Sequence, residues 1–393
     1  MNLPCKSWLW TFGAAIAFWA FSIPLMAADS VVVGVVHREN FAYANMMRTA
    51  YEMALEEINA TGGINGRPLA LVFADDGGDV KVGGLAISEL ALEKKAVMLV
   101  GGYSSSNTLE MAYAADRLDI PFLVCTAADD RITQHGLKNI YRLNPPALGY
   151  TKGLEEFLIS RVKPESMSIV YENSPFGTGS AMRMMWFCRE NGITIKAIQP
   201  YFKNRASLTY FHRLLIPIQK DAPEVLFMVS YLEDATLLVK KIGELQIKSL
   251  LCGGAGGFTH DDFSRSAGNA SEYMLTATLW SAANKGFQAK DFSDRFTKRH
   301  SQKPDYHAAE AYSALMVVAE VLRKSSSVAS SDIRTALDAI NMDTPFGKVQ
   351  FLDYGPFRRQ NVSKTQVLQV INSQFETIWP KDLATAEFAV PLR

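Results

Sequence analysis

The sequence predicts an α/β protein folded as two similar lobes, and three observations carry that prediction. Its 393 residues exceed what one compact core accommodates and suit two lobes of about 150–200 residues each. Short, nearly continuous apolar runs alternate with stretches whose apolar residues recur every three or four positions. The alternation restarts after Pro145-Pro146, so the second half repeats the first.

In the first half, VVVGVV from Val31 is an apolar run closed by polar His37-Arg38-Glu39-Asn40. Met46, Met47, Ala50, Tyr51, Ala54, Leu55 and Ile58 then fall on one helical face, and Thr61-Gly62-Gly63 ends that helix. A strand at 69–76, a helix at 80–93, a strand at 96–102, a helix at 106–118 and a strand at 120–127 follow. Runs this apolar, separated by helices, belong to a parallel sheet covered on both faces. The second half gives a helix at 149–162, a strand at 167–172, a helix at 179–191 and a strand at 193–201. Next come a helix ending near Gln219, a strand at 225–230, a helix at 235–245 and a strand at 249–254. After the apolar run 273–280, helices are expected at 288–300, 308–324 and 331–340, then strands at 349–352 and 365–371. The serine-rich stretch 325–331 reads as a solvated loop.

The composition is 48% hydrophobic and 20% charged, which argues against disorder. Forty basic residues balance forty acidic ones. That balance excludes a strongly basic nucleic-acid binder and leaves no field for anionic membranes. Lys6, an apolar run from Trp8 to about Met26 and the small pair Ala27-Ala28 form the three regions of a secretory signal peptide. A single membrane anchor competes with it, but Pro24 and the small-residue site suit a peptidase better. Cleavage near Ala27/Ala28 would leave an exported protein, periplasmic and without stable membrane insertion. Cys125, Cys188 and Cys252 are then an odd set in an oxidising compartment. They are expected to be buried free thiols, with a disulfide through Cys188 left open.

Signatures of catalysis are missing: there is no Walker-type loop, HExxH, GxSxG or CxxC. Gly177-Thr178-Gly179 opens a helix after a strand, yet Met182 replaces the third glycine of a dinucleotide loop. His260-Asp261-Asp262 reads as a helix start rather than a metal site. His300 and His307 read as surface residues. No catalytic residue, metal or cofactor is expected. The distinctive polar residues all follow strands: His37–Asn40, Ser104–Asn107, 126–129, 171–173, Ser230-Tyr231 and 255–258. In open α/β sheets ligands bind there, against free N–H groups at helix N-termini. A serine cluster opening a helix suits a carboxylate.

Several stretches carry a family resemblance. They are INATGGINGRPL at 58–69, VGGYSSSNTLEMA near residue 100, IPFLVCTAADDRIT at 120–133, SPFGTGSA at 174–181, and the closing FGKVQF and VLQVINSQFETIWP. From about Val31 to Pro380 the chain resembles the type I periplasmic binding proteins, in the Leu/Ile/Val receptor branch that serves ABC importers. The resemblance implies two Rossmann-like lobes joined by three crossovers, near Pro145, Leu279 and Leu352, closing on a ligand in the cleft. It divides the chain into a signal peptide (1–28), lobe 1 (29–146 and 279–352), lobe 2 (147–278 and 353–380) and a tail (381–393).

Matched position by position, the resemblance places the ligand carboxylate on Ser105, Ser106 and Asn107, helped by Thr126, Ala127 and Ala128, with Tyr231 lining the second lobe. Two positions depart from the family. Phe176 replaces a tyrosine, and Ala255 stands where an acid pairs with the ligand's α-ammonium. Either Glu172, Glu233 or Asp234 supplies the missing charge, or the ligand has no ammonium; the second is preferred, since an unpaired buried charge is heavily penalised. Phe41, Tyr43, Phe176, Tyr231 and Phe258 offer rings to an apolar or aromatic ligand. The implied function is an exported receptor handing a small carboxylate-bearing solute, apolar, aromatic or amino-acid-like, to an ABC importer permease. A periplasmic sensor signalling to a membrane partner is the alternative.

Overall fold

The computed structural model describes residues 30–284 and 288–390, so the expected signal peptide and Cys5 lie outside the described residues. Ten strands form two matching sets. In the first lobe β1 (Val31–His37), β2 (Leu69–Asp75), β3 (Met98–Gly101), β4 (Phe122–Val124) and β5 (Ile140–Arg142) run parallel in the order β2-β1-β3-β4-β5. In the second lobe β6 (Ser166–Glu172), β7 (Thr194–Tyr201), β8 (Val225–Val229), β9 (Leu250–Gly253) and β10 (Leu275–Thr278) repeat it as β7-β6-β8-β9-β10. The chain order reverses beside β1 in one sheet and beside β6 in the other. Such reversals open a crevice at the strand ends, where neighbouring loops diverge to opposite faces.

The apolar runs become buried central strands because helices cover both faces: β3, β4, β5 and β8 are buried at every position. The β7 strand alternates exposed and half-buried residues because it is an edge. The Ala44–Ala60 and Tyr306–Lys324 helices pack on each other, and fifteen of the latter's nineteen residues are buried. Its first turn includes His307, which is therefore a core residue rather than a surface one.

Beyond a small hairpin, β11 (Met342–Thr344) and β12 (Gly347–Val349), the C-terminal strands make each sheet mixed. The hairpin β13 (Phe351–Tyr354) and β14 (Phe357–Asn361) extends the first sheet, and β15 (Gln366–Ile371) with β16 (Gln374–Trp379) extends the second. The third crossover thus lies at 362–365, not at Leu352, which sits inside β13. What holds the polar β14 in place is hydrogen bonding. Fully buried Arg142 donates to the Gln360 side-chain oxygen at 2.6 Å, the Asp129 carbonyl at 2.7 Å and the Thr133 hydroxyl at 2.9 Å. Gln360 in turn donates to the Asn144 carbonyl at 2.7 Å.

The segment after β16 lies on lobe 2, where Ala389 and the Gln369 side chain exchange hydrogen bonds of 2.9 and 2.7 Å and Phe388 packs on Phe157. Cys125, Cys188 and Cys252 are free and buried. Among the described residues no helix is long and apolar enough to cross a membrane.

Candidate ligand-binding cleft

A cavity of about 460 Å³ lies between the lobes. Its lining follows the strand order. From lobe 1 come Arg38, Asn40, Phe41, Ala42 and Tyr43 after β1, Gly78 after β2, and Tyr103 with Ser104, Ser105 and Ser106 after β3. Lobe 2 contributes Glu172 at the end of β6 with Ser174 and Pro175 after it, Lys203 after β7, and Tyr231, Leu232, Glu233 and Asp234 after β8. All six loops flank the two chain-order reversals, where that topology puts a ligand.

Of the residues expected from sequence, Ser105, Ser106, Tyr231, Phe41, Tyr43, Glu172 and Asp234 meet at this cavity. Asn107, Thr126, Ala127, Ala128, Phe176, Ala255 and Phe258 are buried and do not line it. For five of them the reason is topological: 126–128 follow β4 and 255–258 follow β9, each one strand beyond the reversal. The β4 loop acts from behind, since the Ser105 hydroxyl accepts from the Ala128 and Asp129 N–H groups, each at 3.2 Å. Phe176 backs the Tyr231 ring at 5.6 Å between centroids, and Phe258 packs on Phe263 within lobe 2.

Ala255 is explained by its neighbours. Its backbone has φ +60°, and the adjacent Gly256 is gripped by lobe 1: the Tyr43 hydroxyl donates to its carbonyl at 3.0 Å and its N–H donates to the Tyr306 hydroxyl at 3.3 Å. A cluster of rings reinforces this grip. His307 stacks between Tyr43 and Tyr306, 3.9 Å from each, and His260 of lobe 2 meets Tyr43 edge-on. His260 also caps the Asp261–Ala267 helix by accepting from the Asp262 N–H at 3.0 Å. The lobes are therefore in contact around the cavity, and Tyr103 meets Tyr231 across it at 5.9 Å.

The two walls differ in chemistry. On lobe 1 the Ser105–Arg117 helix begins at the cavity, with Ser104 as its extended N-cap residue. The first N–H groups of a helix have no partner within it, and they favour an anion. On lobe 2, Glu172 and Asp234 are only 7% and 5% exposed, and each keeps one carboxylate oxygen without a hydrogen bond. Burial, with Asp234 nearby, raises Glu172 to about 7 against the pull of Lys203. Burial raises Asp234 as well, opposed by a hydrogen bond from Tyr201 and by Lys203. Arg38, Tyr103 and Lys203 are among the lining residues that sequence reasoning did not name as site residues, although Arg38 falls in the polar run 37–40 at the end of β1. Among the described residues no group of three or more His, Cys, Asp or Glu is placed to hold a metal ion.

Known proteins share this architecture. Leu/Ile/Val-binding protein homolog 7 of Brucella suis biovar 1 is 25% identical over 360 residues, covering 86% of this chain and 88% of the relative. The solved branched-chain amino acid transporter substrate-binding protein of Streptococcus pneumoniae, in complex with isoleucine, superposes with a TM-score of 0.79 at 18% identity, covering 89% of this chain and all of that one. An R. palustris ABC transporter solute-binding protein in complex with benzoate superposes with a TM-score of 0.78 at 14% identity, covering 89% and 95%. The sequence pattern described as Periplasmic binding protein matches residues 39–374. Two lobes with the same strand order, a cavity at both reversals and a family match over most of its length give one conclusion: the chain belongs to the periplasmic binding protein family, whose members are solute binders rather than enzymes.

Proposed function

We propose that this protein is an exported receptor that captures a small, carboxylate-bearing organic solute and delivers it to an ABC importer permease. The observation that carries this reading is the start of the Ser105–Arg117 helix at the interlobe cavity, with the Ser104, Ser105 and Ser106 side chains among its lining. Unpaired N–H groups, serine hydroxyls and the Arg38 guanidinium form an anion receptor on lobe 1. A cavity of about 460 Å³ suits a metabolite-sized molecule. Export rests on the signal-like N-terminus, and the importer on the transporter-linked names of structural neighbours.

The test has two arms. Protein purified from the periplasm is denatured and its released solute identified by mass spectrometry, with binding confirmed by calorimetry. Uptake of that solute is then measured in cells lacking the gene. A bound carboxylate whose uptake depends on the gene supports the proposal. A bound solute whose uptake is unaffected removes the transport role and favours a sensor.

A further inference from the structure

We propose that the second-lobe pair Glu172–Asp234 is a cation subsite, so that the solute carries an ammonium-type group as well as its carboxylate. This deepens the reading above and rests on it. Both acids line the cavity, both are more than nine-tenths buried, and each leaves a carboxylate oxygen unpartnered. Among the described residues no ion pair engages either one. Lys203 acts on both carboxylates at longer range, while its ammonium lies over the Tyr231 ring, 5.6 Å from the centroid. Two acids buried in the wall of one cavity, each with an unpartnered oxygen, forgo water, an arrangement that a cation relieves.

Their position fits a bipolar ligand. Glu172 ends β6 and Asp234 lies in the first turn after β8, whereas the serine-lined helix start lies across the cleft after β3. The loop after β9, where the sequence resemblance places the missing acid at Ala255, is here held at Gly256 by the Tyr43 and Tyr306 hydroxyls. The charge absent at Ala255 is thus supplied from β6 and β8, which reverses the preference for a ligand without ammonium. Other charged groups facing the pair are Glu233 beside Asp234 and, from lobe 1, Arg38. Rings of Phe41, Tyr103 and Tyr231 complete walls that suit a cationic head.

The experiment compares matched pairs of probes by calorimetry: leucine against 4-methylpentanoate, phenylalanine against 3-phenylpropanoate, and glycine betaine against acetate. The amine-bearing member of at least one pair is expected to bind at least 30-fold tighter than its amine-free partner. Glu172→Gln and Asp234→Asn should each weaken it by 10-fold or more, and ligand-free melting curves verify that both variants fold. Tighter binding of the amine-free members overturns the cation subsite but leaves the carboxylate receptor standing. No binding by any probe overturns both.

Discussion

Ser106 is the simplest single position to question, because its neighbour Ser105 is already committed to the Ala128–Asp129 turn. Ser106→Ala is expected to cost about 1–3 kcal/mol of affinity for a carboxylate ligand, with ligand-free stability nearly unchanged; calorimetry and melting measure the two. Glu172 is the opposite case, a residue that burdens the empty protein. The folded state holds its proton up to about 7, while the unfolded chain releases it near its ordinary 4.5. Between those values folding takes up a proton, so stability falls as pH rises across the window. Glu172→Gln removes that dependence and should stabilise the ligand-free protein at pH 8 by on the order of 1–3 kcal/mol. The same group makes binding pH-dependent. A cationic ligand needs the carboxylate ionised, so affinity should fall by up to about 10-fold per unit as pH drops below about 7. A flat affinity profile between pH 5.5 and 8 would show that the ligand leaves Glu172 alone.

At the scale of elements, polarity does not decide exposure. The β14 strand reads Phe-Arg-Arg-Gln-Asn, and sequence gave no reason to put it in a sheet, yet Gln360 and Asn361 are buried there. Arg142 at the end of β5 supplies the missing logic, since burial lowers its guanidinium to about 10 and makes its hydrogen-bond partners obligatory. Gln360→Ala leaves one guanidinium N–H of Arg142 without its acceptor and should cost about 2–4 kcal/mol, seen as a lower urea midpoint at constant slope. This is where reading the sequence reached its limit. Long apolar runs such as 31–36 and 225–230 announce themselves by pattern, whereas three-residue β5 and polar β14 are joined to each other by a contact between residues 218 positions apart. The site divides in the same way. Polar residues after apolar strands were legible as a group, but which loops face the cleft depends on strand order, and strand order is a long-range property. Hence Ser106 and Tyr231, legible in the sequence, line the cavity, Thr126 and Ala255 lie one strand beyond it, and Lys203 joins the lining from the loop after β7.

For the whole molecule, the contacts among Tyr43, Tyr306 and the Gly256 backbone set how firmly two lobes on three crossovers stay together. Tyr43→Phe loses one interlobe hydrogen bond, worth about 1 kcal/mol, and should speed ligand dissociation roughly 5-fold with little change in association. Stopped-flow measurement separates the two rates. Ligand should also reduce the radius of gyration of the native protein in solution scattering, as expected for hinge closure; an unchanged radius argues for a rigid pair. The burial of all three described thiols has a practical consequence for watching that motion. Burial raises Cys125 to about 12 and Cys188 to about 11, so neither presents a thiolate to a reagent near neutral pH. A single cysteine introduced at exposed, cavity-edge Ala42 would then be the one thiol among the described residues that a maleimide dye modifies quickly. Its fluorescence would follow the cleft directly, turning the protein into an optical sensor for whatever solute it carries.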